Sequence, residues 1–329
     1  MEKRGVIEIQ MHWIFVIIAG AIILAFFIGI VAKQRSISGK ELIFDITTDL
    51  DLIFSSARVS EGSITDIDIP ELELNFDCRD YWIEGQKKPL KTKPVFASDK
   101  IIGNKILLWS LAWKMPFKVD TFLYVTSPQV RFVFIDAPAG LYNKIPEKIN
   151  KEKISFLELA NLQDSENYKV KFILFDNNFN EMDFPAWIRK YDSVAVAVDS
   201  AEEKLTYYTY TNTWKKQGET FYLGEESLLG SFFSDNMDDY NCVMDKALRE
   251  LNAVAGIYAE RTKLLDNAGI CPLFYGDNHV RLFTRLIAAT GEDKGFSNGN
   301  IITEQIKAAA DSIENANIEI EYGSCPPIY

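Results

Sequence analysis

From Trp13 to Ala32 the chain reads WIFVIIAGAIILAFFIGIVA, 20 residues without a charge. At 1.5 Å of rise per residue this is about 30 Å of helix, the thickness of one hydrocarbon layer. A core helix seldom goes so long without a polar residue. The apolar core of a secretory signal is shorter, about 7–15 residues, and ends at a small-x-small site, whereas this run exits into Lys33-Gln34-Arg35. The segment is therefore expected to cross the membrane once, with lipid as its partner. Residues 1–12 form a cytoplasmic segment, 13–32 the transmembrane helix, and the rest of the 329 residues a folded domain.

The formal charge of -12 belongs to that domain, because Lys3 and Arg4 cancel Glu2 and Glu8. A nucleic-acid surface needs clustered Lys and Arg. The densest basic stretch here, Lys87, Lys88, Lys91 and Lys93, reads as a loop between strands, so no nucleic-acid partner is expected. The balance between Lys3 and Arg4 on one flank and Lys33, Arg35 and Lys40 on the other does not orient the span by the positive-inside rule.

Two further features place the N-terminus inside and the domain outside. The first is Lys3-Arg4-Gly5, followed by Glu8 and the apolar run, which resembles the class III signal of type IV prepilins and archaeal pilin-like proteins. The resemblance covers about the first thirty residues and implies peptidase cleavage after Gly5, with Val6 as the mature start. It departs from the pattern in that Glu8 is the third residue after the glycine rather than the fifth, and Gln10-Met11-His12 delay the apolar run. Together with the Cys325-Pro326-Pro327-Ile328-Tyr329 end, this start resembles a family of archaeal single-pass membrane proteins, a resemblance that implies no activity.

The second feature is the cysteines. Cys78, Cys242, Cys271 and Cys325 give an even count with no C-x-x-C pair, which removes zinc ribbons and thioredoxin-like redox motifs and favours two disulfides outside the cytoplasm. If residues 237–265 form one helix, Cys242 lies about 35 Å from its far end. The few residues to Cys271 cannot return within the roughly 7 Å a disulfide needs. Unless the helix breaks at Gly256, Cys325 pairs with Cys242 or with Cys271, and Cys78 takes the other.

Along the chain, Gln34–Gly39 reads as a linker and Glu41–Ala57 as an amphipathic helix, together residues 33–62. Residues 63–235 read as a β-rich to α/β domain. SITDIDIP, ELELNFDC, KILLWSLAW, DTFLYVTS and VRFVFID are strands. VRFVFID, KVKFILFD and SVAVAVD are then apolar on both faces and separated by helical segments near Leu141–Ile149 and Pro185–Lys190, the pattern of a covered parallel sheet. LTYYTYTNTW and ETFYLG make an edge hairpin. Residues 236–329 are helical: Ser234 or Asp235 caps a helix with a seam of Tyr240, Met244, Ala247, Leu251, Val254 and Tyr258, and shorter helices span His279–Ala289 and Ile301–Asn315. The fold class is α/β or α+β behind an N-terminal transmembrane helix.

Candidate chemistry is sparse. Asp136, Asp176 and Asp199 each close an apolar strand, where an open parallel sheet places its ligand crevice; converging there, they could hold Mg²⁺ or act as acid and base. Asp is equally the residue that starts turns. No phosphate loop follows the first strand, and His12 and His279 are the only histidines. Trp109 and Trp113 read as core. No cofactor is expected. The leading reading is a membrane-anchored extracytoplasmic envelope component, minor pilin-like, that works through protein partners. The alternative is an anchored α/β enzyme or ligand-binding domain using Asp136, Asp176 and Asp199.

Overall fold

The computed structural model describes residues 17, 18, 20–26, 28, 46–176, 179–269, 271, 275–291, 296 and 300–329. The chain divides into two compact units, Met1–Leu52 and Ile53–Tyr329. In the first, the described residues of 17–28 and residues 46–52 are helical. Among the described residues no helix is long and apolar enough to cross a membrane. The remainder of the expected span 13–32, the processing site at Gly5 and Val6, and the linker at Gln34–Gly39 lie outside the described residues.

The second unit opens with helical residues 53–57 (α1), the end of the expected amphipathic helix. Phe54 of α1 is fully buried, its ring 6.5 Å from that of Phe76 and 5.8 Å from that of Tyr81. Those two rings belong to a first sheet made of β1 (Ile64–Phe76), β2 (Asp80–Ile83), β3 (Gln86–Pro89), β4 (Val95–Ala97), β5 (Lys100–Lys114) and β6 (Lys118–Thr126), in the order β3-β2-β1-β5-β6-β4. All pairs are antiparallel except β4–β6. SITDIDIP and ELELNFDC are one strand rather than two. Pro70 has no N–H for the ladder, and a register shift between Asp68 and Leu72 absorbs the break. Beyond it the alternation holds: Leu74 and Phe76 are buried while Glu71 and Glu73 are exposed. Lys87 and Lys88 lie in β3, not in a loop.

The second sheet contains β7 (Val130–Ile135), β8 (Lys151–Ile154), β9 (Lys169–Phe175), β10 (Asp192–Asp199), β11 (Lys204–Tyr210) and β12 (Trp214–Phe221), in the order β12-β11-β10-β9-β7-β8. Strands β8, β7, β9 and β10 are parallel, and β11–β12 is the expected antiparallel edge hairpin. Every residue of β7 and β9 is buried, as strands covered on both faces require. Phe132, Phe134, Ile173, Phe175, Val196 and Val198 face the main core; Val133, Ile135, Val170, Phe172, Leu174 and Ala195 face a smaller one. That smaller core is closed by Leu159, Phe179 and Ile188 from three 3-10 turns, Phe156–Asn161, Phe179–Glu181 and Ala186–Lys190. The helix expected around Pro185–Lys190 is thus a 3-10 turn, begun by Pro185 as its N-cap. The segment after β7 holds a helix of only 6 residues, α2 (Ala139–Lys144).

Four helices complete the unit: α3 (Glu225–Phe233), α4 (Met237–Asn267), α5 (Asp277–Ala289) and α6 (Asn300–Tyr322). In α3 every residue from Ser227 to Phe233 is buried. Its Gly230 has Phe96 of β4 so close that an added Cβ would stand 2.7 Å from the ring. Helix α4 runs unbroken through Gly256 and buries Tyr240, Met244, Ala247 and Leu251. Its N-cap is Asn236, whose side chain accepts from the Asp239 N–H at 2.8 Å, and not Ser234 or Asp235. Asp235 is drawn elsewhere. Helix α6 continues to Tyr322, past the expected Asn315, because Ile313, Ala316 and Ile320 extend its buried stripe.

Two disulfides staple this arrangement, Cys78–Cys242 and Cys271–Cys325, with Cα separations of 5.9 and 6.1 Å. Of the two pairings compatible with an unbroken α4, the chain has the one that joins Cys325 to Cys271. The tail beyond it is fixed. Ile328 is buried and donates its N–H to Asn317 Oδ1 at 2.7 Å. The Tyr329 ring packs 5.5 Å from Phe117 and 5.8 Å from Tyr258.

Candidate functional site

The chain leaves β7 for β8 on one side and returns to β9 on the other, so the carboxyl ends of β7 and β9 flank a topological switch point. Asp136 and Asp176 stand there, both in the left-handed region at φ 52° and 53°, and Asp199 closes β10. Each carboxylate has local backbone partners. Asp136 accepts the Phe156 N–H at 3.3 and 3.4 Å, tying the end of β7 to the turn after β8. Asp176 Oδ1 accepts the Ser200 N–H at 2.8 Å, and Asp199 Oδ1 accepts the Ala201 and Glu202 N–H groups at 3.0 Å.

Asp176 and Asp199 share an open groove of about 510 Å³ with Phe179, Lys204, Thr206, Tyr208 and Glu219; Asp136 is not among the residues lining it. The cation of that groove, Lys204, faces Glu202 at 3.4 Å and Glu219 at 3.6 Å. Glu219 is held below the ordinary carboxylate range, first by its hydrogen bond from Lys216. Among the described residues no three His, Cys, Asp or Glu side chains converge to hold a metal ion. His279 lies in the first turn of α5, its N–H donating to Gly276 O. Trp109 and Trp113 are core residues: the first packs 4.9 Å from Tyr124, and the second donates its Nε1–H to Leu223 O at 3.2 Å.

The densest polar chemistry lies elsewhere, at the amino end of β9. Lys169 and Lys171 point to the same face as Ile173 and Phe175 and are almost completely buried. Both reach Asp235, which sits between α3 and α4 with its side chain 4 % exposed. Lys169 Nζ donates to Asp235 Oδ2 and also meets Asp192 at 2.9 Å. Lys171 Nζ stands 2.6 Å from Asp235 Oδ1 and donates to the Phe233 carbonyl at the end of α3, where a cation suits the helix terminus. Oδ2 also accepts the Asp99 N–H at 2.9 Å. Burial works to raise the Asp235 carboxyl, but Lys171 and Lys169 outweigh it and hold it at about 2. Burial likewise works against the charge of Lys169, yet Asp235 and Asp192 carry it above the ordinary lysine value; Lys171, fully enclosed, is pulled below it.

The network extends along the start of α4. Asn236 Nδ2 donates to Asp99 Oδ1 at 3.1 Å and to Asp239 Oδ2 at 2.8 Å, and Asp239 Oδ1 accepts the Cys78 N–H at 3.2 Å. Lys246 donates to the carbonyls of Cys78 and Lys93, and burial pushes it down to about 8, with Arg249 adding to the effect. The turn after β4, the start of β9, the α3–α4 corner and the Cys78–Cys242 disulfide are thereby joined in one polar seam. The sequence carries one trace of it: in Lys169-Val170-Lys171-Phe172-Ile173-Leu174-Phe175, two lysines occupy alternate positions on an otherwise apolar face. Their partner Asp235 is 66 residues from Lys169, beyond any local pattern.

No protein-family model, curated protein or solved structure matches this chain.

Proposed function

We propose that the protein is a membrane-tethered extracytoplasmic domain that works through protein contacts as a structural component of the cell envelope, in the manner of a minor pilin. The observation that carries the reading is the pairing of all four cysteines, Cys78 with Cys242 and Cys271 with Cys325, since such bonds persist in oxidising compartments. Supporting the tether, the described residues of 17–28 are helical and leave Ile17, Ile18, Ile22, Ile23, Leu24, Phe26 and Ile28 between 53 and 65 % exposed. A helix apolar on every side needs lipid or protein around it. Asp199 supports the same reading by holding its own turn, and Asp136 and Asp176 by tying neighbouring loops through backbone N–H groups.

The test is the redox state of the four cysteines, by mass spectrometry with and without reduction, on protein taken directly from its own membranes. Two disulfides are expected; four free thiols overturn the extracytoplasmic placement. The mass of the N-terminal peptide tests the pilin-like processing: a start at Val6 supports it, and an intact Met1 removes it.

A further inference from the structure

We propose that the side chains of Lys171 and Asp235 join in an intramolecular isopeptide bond, which crosslinks β9 to the corner between α3 and α4. The inference is independent of the membrane reading.

Both groups are almost completely buried, and Lys171 Nζ stands 2.6 Å from Asp235 Oδ1. The two meet there as a buried ion pair. The ammonium also donates to the Phe233 carbonyl, which fixes Nζ beside the carboxyl group. The other oxygen, Oδ2, is served by two donors, Lys169 Nζ and the Asp99 N–H. Two donors on one carboxyl oxygen are the arrangement that stabilises the oxyanion of acyl transfer. Burial also lowers the proton affinity of Lys171, which favours the free amine.

The step balances without an oxidant or co-reactant. A proton first passes from the Lys171 ammonium to Oδ1 across the ion pair; the free amine then attacks Cγ of Asp235, and the negative charge collects on Oδ2 between its two donors. The bond from Cγ to Oδ1 then breaks. Oδ1 leaves as water with two of the three ammonium protons, and the third stays on the amide nitrogen. An ammonium and a carboxylate become one neutral amide and one water, which removes two charges from a dry interior where each is costly to hold. Lys169 keeps a counterion after the reaction, because Asp192 already meets it at 2.9 Å. Lys169 thus has a second carboxylate within ion-pair distance, and Lys171 is the amine enclosed beside Oδ1.

The experiment is a reduced, denatured digest of the full chain, analysed by mass spectrometry at the level of peptides so that processing after Gly5 does not enter. A branched peptide joining Lys171 to Asp235, lighter by one water than its two linear parts and uncut after Lys171, is expected. Lys171→Arg should restore the two linear peptides at full mass; if that chain does not fold, the wild-type digest alone decides. Unmodified linear peptides from the folded wild-type chain overturn the proposal. A water lost within a single linear peptide, as in a cyclic imide at Asp235, overturns it equally, and a branch through Lys169 overturns the assignment to Lys171.

Discussion

The crossing of α3 over β4 makes a quantitative prediction through two helical glycines. An alanine Cβ at Gly230 would meet Cε2, Cζ and Cδ2 of Phe96 at 2.7 to 2.8 Å, well inside contact distance. The ring cannot swing away, because Phe122, Tyr124 and Tyr240 surround it at centroid distances of 5.2 to 5.8 Å. Helix α3 cannot lift, because Tyr124 OH donates to the Glu226 carbonyl at 2.8 Å and Lys171 holds the Phe233 carbonyl. Overpacking of this kind costs about 1–3 kcal/mol, against about 1 kcal/mol gained from the better helix former. Gly230→Ala should therefore lose up to about 2 kcal/mol net. Gly256, in the middle of α4, has nothing within 4 Å of the same added atom, so Gly256→Ala should gain close to the full 1 kcal/mol or so. Urea unfolding followed by tryptophan fluorescence should move the two midpoints in opposite directions from wild type. Equal stabilisation by both alanines would refute the close crossing of α3 on Phe96.

Cys78–Cys242 closes a loop of 164 residues and Cys271–Cys325 one of 54. Loop entropy then gives upper values of about 5 and about 4 kcal/mol, so the Cys78→Ser, Cys242→Ser pair should lower the denaturation midpoint at least as much as the Cys271→Ser, Cys325→Ser pair, and reductant should add nothing once both are replaced. Lys246 is held at about 8 in the fold against about 10.5 when unfolded, so between those values the unfolded chain binds more protons and stability rises with pH, by up to about 3 kcal/mol. Lys246→Met should abolish that rise in a pH series of unfolding curves; an unchanged slope would assign it to another group. Asp176→Ala removes the acceptor of the Ser200 N–H and should cost about 1 kcal/mol. Asp176→Asn keeps an acceptor and tolerates φ 53°, so its melting temperature should stay near wild type.

Strands and the long helix were legible because their patterns are local. The alternation from Glu71 to Phe76, the unbroken apolar runs of β7, β9 and β10, and the seam from Tyr240 to Leu251 all survive folding as read. The length of α4 alone removed one disulfide pairing. Helix α3 was missed because seven consecutive buried residues leave no amphipathic stripe. Strands β2, β3, β4 and β8 are 3 or 4 residues each, too short to show a period. The polar seam was hidden for another reason: Asp235 looks like a helix cap in its own neighbourhood, and only the fold brings β9 to it and leaves capping to Asn236.

The strand orders bear on how copies or partners can add to this protein. Of the four edge strands, β3 carries Lys87, Lys88 and Pro89, β8 carries Lys151 and Lys153, and β12 carries Lys215 and Lys216. The fourth, β4, is three residues long and packs Phe96 beneath α3 and against Tyr240 of α4. Lysines, proline and a helical cover are the devices that stop one sheet from growing into the next. Strand addition is thus opposed at each of these four borders, and the helical surfaces are a route of assembly that these devices do not oppose.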